Sequence, residues 1–151
     1  MTRKKARECA VLLCYEMGFH PVYDMKLLEA RIDGMCSAPW NIELELADTP
    51  PEGEQRDYLL RLLNGIIGHK PELDAYIEKY SIGWHFHRIP RVAAAIMQVA
   101  AYEILYMPDI PDGAAIDEAV ELTKRYDSVE ISSFVNGVLG SFVREERIGH
   151  D

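Results

Sequence analysis

Four cations crowd the start of the chain. Arg3, Lys4, Lys5 and Arg7 stand within the first seven residues, with no Asp or Glu among them. Cationic side chains at neighbouring positions can neutralise successive phosphates, so this tip has the chemistry of a polyanion grip whose affinity falls as salt rises. A solvated helix start would carry the same residues. The tip contrasts with the remainder: 16 Lys and Arg face 25 Asp and Glu, a net −9, so beyond the +4 tip the chain carries −13. A basic tip on an acidic body suits a weak binder of one polyanion with a second surface for a basic partner.

Other residues that could carry chemistry lack the company it requires. His85 and His87 flank Phe86, a spacing that can place two imidazoles on a metal from an extended segment, but no Cys-x-x-Cys or His-Glu-x-x-His pattern accompanies them. A loop with aromatic packing accounts for them. Cys14 and His20 have no third group to complete a nucleophile–base pair. The acidic pairs Asp117-Glu118 and Glu145-Glu146 are adjacent, so they diverge around a helix. Gly137-Val138-Leu139-Gly140 has no phosphate-cradling lysine. Neither an enzyme nor a cofactor site is expected. Three cysteines, Cys9, Cys14 and Cys36, are an odd count that argues against a disulfide framework and for buried thiols. The uncharged stretches Val92–Tyr102 and Ile131–Val143 are shorter than the roughly 18–20 residues of a bilayer span. With no secretory signal in the N-terminal run, a cytoplasmic location is expected.

The elements that must position these residues read as helices throughout. Apolar spacing predicts a first helix over Arg3–Met17, with Thr2 as N-cap and Gly18 as stop. Its inner face would be Ala6, Ala10, Leu13, Cys14 and Met17, and its outer face Arg3, Lys4 and Arg7. A short helix over Asp24–Ile32 follows, then an irregular loop over 34–48. Thr49-Pro50-Pro51-Glu52 reads as a helix start, leading into the stripe Tyr58, Leu59, Leu62, Leu63, Ile66 and Ile67, with Gly65 and Gly68 near its end. Pro71 opens a separate helix to Tyr80. Pro90 opens the most apolar helix, Arg91 to about Tyr106. Further helices are expected over 113–126, with Ile116, Ala119 and Val120 buried, and from about Ser128 to Arg147, with Ile131, Phe134, Val135, Val138, Leu139, Phe142 and Val143 on one face. Asn136-Gly137 is a poor pair inside that helix, and a close helix–helix contact would explain the glycine. The expectation is therefore all-α: about seven helices forming one domain of two packed subdomains, about 1–80 and 88–147.

Four segments occur together and in order. They are Ala6-Arg7-Glu8-Cys9-Ala10-Val11 after the basic start; Ala101-Tyr102-Glu103-Ile104-Leu105; Ile110-Pro111 followed by Ala115-Ile116-Asp117-Glu118-Ala119-Val120-Glu121-Leu122; and Phe134-Val135-Asn136-Gly137-Val138-Leu139. In this order and spacing the chain resembles the NusB family of bacterial transcription antitermination factors, from about residue 3 to 143 and most weakly over 19–56. The resemblance implies an all-helical RNA-binding protein of two bundles. It implies binding to the boxA element of ribosomal RNA leader transcripts together with NusE, a small-subunit ribosomal protein. The complex would join RNA polymerase and suppress premature termination, with no catalysis and no cofactor.

The resemblance places Arg3, Lys4, Lys5 and Arg7 at the family's RNA-contacting positions. Reading a single strand also needs unstacked bases held on aromatic or polar groups, and Phe134 with Ser132 and Ser133 is the candidate for that part. Glu103, Asp117, Glu118 and Glu121 are candidates for the basic protein partner. The sequence departs from the family pattern at Gln98, Gly113, Asp117 and Gly140. A missing base at 98 and an added acid at 117 lower local positive potential, so a weak solo binder that depends on its partner is expected. Two alternatives stand beside this reading. One is the RNA-binding module of a ribosomal RNA methyltransferase, against which the chain ends at Asp151 without a methyl-donor domain. The other is a structural or dimerising helical protein without RNA binding.

Overall fold

The computed structural model describes residues 1–22 and 24–146. Among these residues the chain is helical without strands, as its periodicity predicts: α1 Arg3–Met17, α2 Met25–Asp33, α3 Pro39–Leu44, α4 Gly53–Tyr80, α5 Arg91–Tyr106, α6 Asp112–Tyr126 and α7 Val129–Glu146. The predicted end of the last helix at Arg147 lies outside the described residues. The chain divides into two compact units, residues 1–68 and residues from 69 onward. The sequence points to a break at 81–90 instead.

In the first unit, Thr2 caps α1: its hydroxyl accepts the Lys5 N–H at 3.1 Å. Asp24 caps α2 through the Leu27 N–H at 2.8 Å, so it precedes that helix rather than opening it. The apolar centre comprises Ala6, Cys9, Ala10, Val11 and Leu13 of α1, Leu28 and Ile32 of α2, and Leu59, Leu62 and Leu63 of α4, all nearly sealed from solvent. Residues 34–48 are more ordered than their lack of periodicity suggests. A 3₁₀ turn at Met35–Ser37 leads into α3. Asn41 supplies the bonds that periodicity cannot reveal. Its buried amide donates to the carbonyls of Cys36 and Ala47 at 3.1 and 2.8 Å and accepts the Ala47 N–H at 2.8 Å. Glu45 then ends α3 in the left-handed conformation, φ 53°.

Two of the predicted helices are one. α4 runs 28 residues through Gly65, Gly68 and Pro71. Pro71 lacks the N–H that would bond back to the preceding turn, a break that sequence reading takes as a helix start. Apolar positions on either side of it, Leu62, Leu63 and Ile66 before and Leu73 and Ile77 after, are all buried. Burial of apolar residues on both sides of the proline offsets the local cost. The start also differs: α4 opens at Gly53, whose φ of +61° suits glycine, so Pro50 and Pro51 precede it.

In the second unit α5, α6 and α7 pack on one another. The alanine-rich α5 is the most buried helix, from Ala93 to Ile104, because small residues let its neighbours approach closely. On α6 the sealed positions are Ala115, Ala119, Leu122 and Thr123, while Ile116 and Val120 are only half-buried. On α7 Val135, Val138, Leu139 and Phe142 are sealed, and Ile131, Phe134 and Val143 are half-buried. No helix among the described residues is long and apolar enough to cross a membrane.

Candidate nucleic-acid interface

The basic tip forms the first two turns of α1. Nothing acidic stands in the first turn, so the basic residues lie at the positive end of the helix dipole. Lys4 and Lys5 are exposed. Arg3 is half-buried and held by neutral groups: its Nε donates to Oε1 of Gln55 at 2.9 Å, and its Cζ lies 4.1 Å from the centroid of the Tyr58 ring. An amide and a π-face position a guanidinium without cancelling its charge. Arg7 departs from the expected outer face. It is 7% exposed, with Cζ 6.0 Å from the same ring. It lies on the buried side of α1. The single ring of Tyr58 thus serves two of the four cations. Sequence reading assigns Tyr58 to the apolar stripe of α4, and no local spacing relates it to Arg3.

The second set of candidates lies on α7, in the other unit. Ser128 caps this helix, its hydroxyl accepting the Ile131 N–H at 3.1 Å. Ser132 is buried, and its hydroxyl donates to the Val129 carbonyl at 2.6 Å. Its hydroxyl is therefore committed to its own helix. Ser133 is exposed and leans on the same carbonyl at 3.4 Å. Phe134 is half-buried, its ring 5.5 Å from that of Trp84 at an interplanar angle of 44°. Asn136 and Gly137 are exposed, and a Cβ added at Gly137 would meet nothing within 4 Å. The glycine is therefore not required by a close helix contact, contrary to the expectation from its sequence.

The acidic candidates separate by burial. Asp117 and Glu121 are exposed and Glu118 is half-buried. Glu121 forms an i,i+3 pair with Lys124 at 3.5 Å. Glu103 is fully buried and leaves the candidate partner surface, because a carboxylate sealed within α5 has no face to offer. Gln98 is likewise buried, and its amide donates to Asp74 at 2.7 Å. A change of residue at this position therefore acts inside the fold, not on solvent-facing potential.

The thiols suit packing. Burial, with the nearby Glu8 carboxylate, pushes the Cys9 thiol up to about 12. Cys14 is also buried and Cys36 half-buried. The His85 and His87 rings stack on each other at 5.7 Å. Among the described residues no three His, Cys, Asp or Glu side chains group closely enough to hold a metal.

The model of the NusB family matches residues 4–144. The transcription antitermination protein NusB of Alkaliphilus oremlandii is 36% identical over 97% of this chain and 96% of its own length. That of Agathobacter rectalis is 39% identical over 94% of this chain and 99% of its own. The chain belongs to the NusB family.

A solved NusB from T. maritima superposes with a TM-score of 0.76 at 27% identity, over 96% of this chain and 92% of that one. Antitermination factors NusB and NusE solved in complex with dsRNA include a chain that superposes at 0.73 and 22% identity, over 95% and 96%; this likeness concerns the fold. The NusB-matching stretch takes in Lys4, Lys5 and Arg7 and all the α7 candidates, and begins one residue after Arg3.

Proposed function

We propose that the chain is a transcription antitermination factor that binds boxA-type RNA of ribosomal leader transcripts together with NusE, and so joins the RNA polymerase complex that reads through premature terminators. The observation that carries this reading is the α1 start: a basic cluster with no acid in its first turn, whose Arg3 is positioned by neutral groups, on a chain of net charge −9. In a NusB-family chain this is the charge distribution of a protein that grips phosphate locally and repels it elsewhere. Lys4, Lys5 and Arg3 supply phosphate contact. Arg7, largely buried, sets the ring that Arg3 shares. Phe134 is the candidate for base stacking on α7, with Ser133 beside it, whereas the hydroxyl of Ser132 is turned inward. Exposed Asp117 and Glu121, with half-buried Glu118, supply charge complementary to a basic ribosomal protein. The role is one of binding rather than turnover, in the cytoplasm where transcripts emerge.

The test is a titration with boxA-type RNA at two salt concentrations, with and without NusE. The expected result is a salt-sensitive complex that NusE tightens. Replacing Arg3, Lys4 and Lys5 with alanine should abolish it while the far-ultraviolet dichroism stays helical. Unchanged RNA affinity in that variant overturns the reading.

A further inference from the structure

A second stretch of this acidic chain is free of acid. Between Glu78 and Glu103 there is no Asp or Glu, while Lys79, His85, His87, Arg88 and Arg91 interleave with Trp84 and Phe86. Trp84, His85, Phe86, His87 and Arg88 lie in the loop between α4 and α5, whereas Lys79 stands in the last turn of α4, paired with Glu146 at 2.7 Å, and Arg91 opens α5. A turn closed by the Trp84 N–H on the Ser81 carbonyl at 2.9 Å presents Trp84, and its third residue, Gly83, has a φ of +83° that other residues rarely adopt. A short 3₁₀ segment, Phe86–Arg88, then places Arg88 beside it. The Glu78 carboxylate accepts the Phe86 N–H at 2.7 Å and anchors that segment.

Gly83, Trp84 and Arg88 line an open depression of the surface, about 420 Å³. Trp84 is 43% exposed, a large apolar area to leave in water. Its ring is not loose, because Phe134 of α7 packs against it. Arg88 is exposed, and among the described residues no carboxylate pairs with it. A rigid indole beside an uncompensated guanidinium is the pairing that holds one unstacked base and its phosphate.

We infer that Trp84 and Arg88 form a nucleotide subsite for single-stranded RNA, with Trp84 as the stacking face, Arg88 as the phosphate contact and Phe134 as the support behind the indole. The inference rests on the RNA-binding reading above and extends it to a site on the second unit. It reassigns Phe134 from the stacking face to the backing of that face.

The experiment uses the full chain carrying Trp40→Phe, which leaves Trp84 as the sole indole, and a boxA-type RNA oligonucleotide as probe. Stacking of a base on Trp84 should quench its emission on titration. Trp84→Ala should weaken binding about tenfold, the scale of one lost base–aromatic stack. Arg88→Gln should lower the slope of log affinity against log salt by about 0.7, one phosphate contact on a single strand. If Trp84→Ala proves poorly folded, the emission of the native indole still decides the matter. Unmoved emission in a protein that binds the RNA, with affinity unchanged in both variants, overturns the subsite and leaves the α1 reading standing. Failure of the unsubstituted chain to bind any RNA overturns both. Quenching by NusE alone, with none by RNA, overturns the subsite in favour of a protein-docking face.

Discussion

The Arg3 guanidinium carbon stands 4.1 Å from the centroid of the Tyr58 ring, with its Nε bonded to Gln55. A residue near the beginning of the chain is thus aimed by the first turns of α4. The geometry depends on a planar group with a donor at Nε, which lysine lacks. Arg3→Lys keeps the charge and should leave the salt dependence of RNA binding unchanged. Affinity itself should fall about fivefold to thirtyfold, the sum of a cation–π contact and a hydrogen bond of roughly 0.5–1 kcal/mol each. Fluorescence anisotropy at several salt concentrations separates the two quantities, and an altered salt slope would contradict the positioning role.

Asn41 is the fixed point of residues 34–48. Its three hydrogen bonds, the two to Ala47 buried, join Cys36 and Ala47 across α3. Asn41→Ala leaves the Ala47 N–H and its carbonyl partners buried without bonds and should cost roughly 2–4 kcal/mol. Asn41→Asp should do similar damage, because a carboxylate would face two carbonyl oxygens. A lowered urea midpoint with an unchanged slope is the expected signature.

Gly137 sits mid-helix on α7 with open space where a side chain would be. Gly137→Ala should therefore raise stability by about 1 kcal/mol, the usual helix-propensity gain. A loss of stability in calorimetry would show that the glycine answers a packing constraint after all.

Much of this was legible before any coordinates. α1, α5, α6 and α7 follow from apolar content and spacing: α6 and α7 bury a stripe, while α1 and α5 are buried nearly all round over Ala6–Cys14 and Ala93–Ile104. The order of four short segments points to the family. Pro71 is a strong local signal for a helix start, yet burial on both of its sides outweighs it. The segment 34–48 has no periodicity because a side-chain amide, rather than an apolar face, orders it. Arg7 and Glu103 are charged residues on buried faces, and residue type alone places them outside. Trp84 and Arg88 were visible as an aromatic and a base. Only the turn at Gly83 and the packing of Phe134 bring them to one depression of the surface.

Acid should weaken the molecule in a defined window. A hydrogen bond from Arg56 to Asp33, 2.9 Å at Nε, pulls that carboxyl below its ordinary 3.8. Lys79 and Tyr80 lower Glu146 in the same way. A carboxyl with a depressed native pKa is protonated more readily in the unfolded chain, so stability rises with pH across that interval. These contributions are present above the ordinary carboxyl range and are lost as pH falls through the native values. The gap in melting temperature between the unsubstituted chain and Asp33→Asn, with Glu146→Gln added, should therefore narrow as pH falls below about 5. A gap that stays constant would show that these pairs do not set the acid limb.

The absence of any acid from the first turn of α1 leaves the unliganded protein holding like charges against a positive helix end. Whatever anion settles there meets a positive helix end and the cations it carries. Recognition and folding are then two readings of one equilibrium. A transcript that docks at this tip should make the chain harder to melt, and replacing chloride by phosphate in the buffer should give a faint version of the same effect.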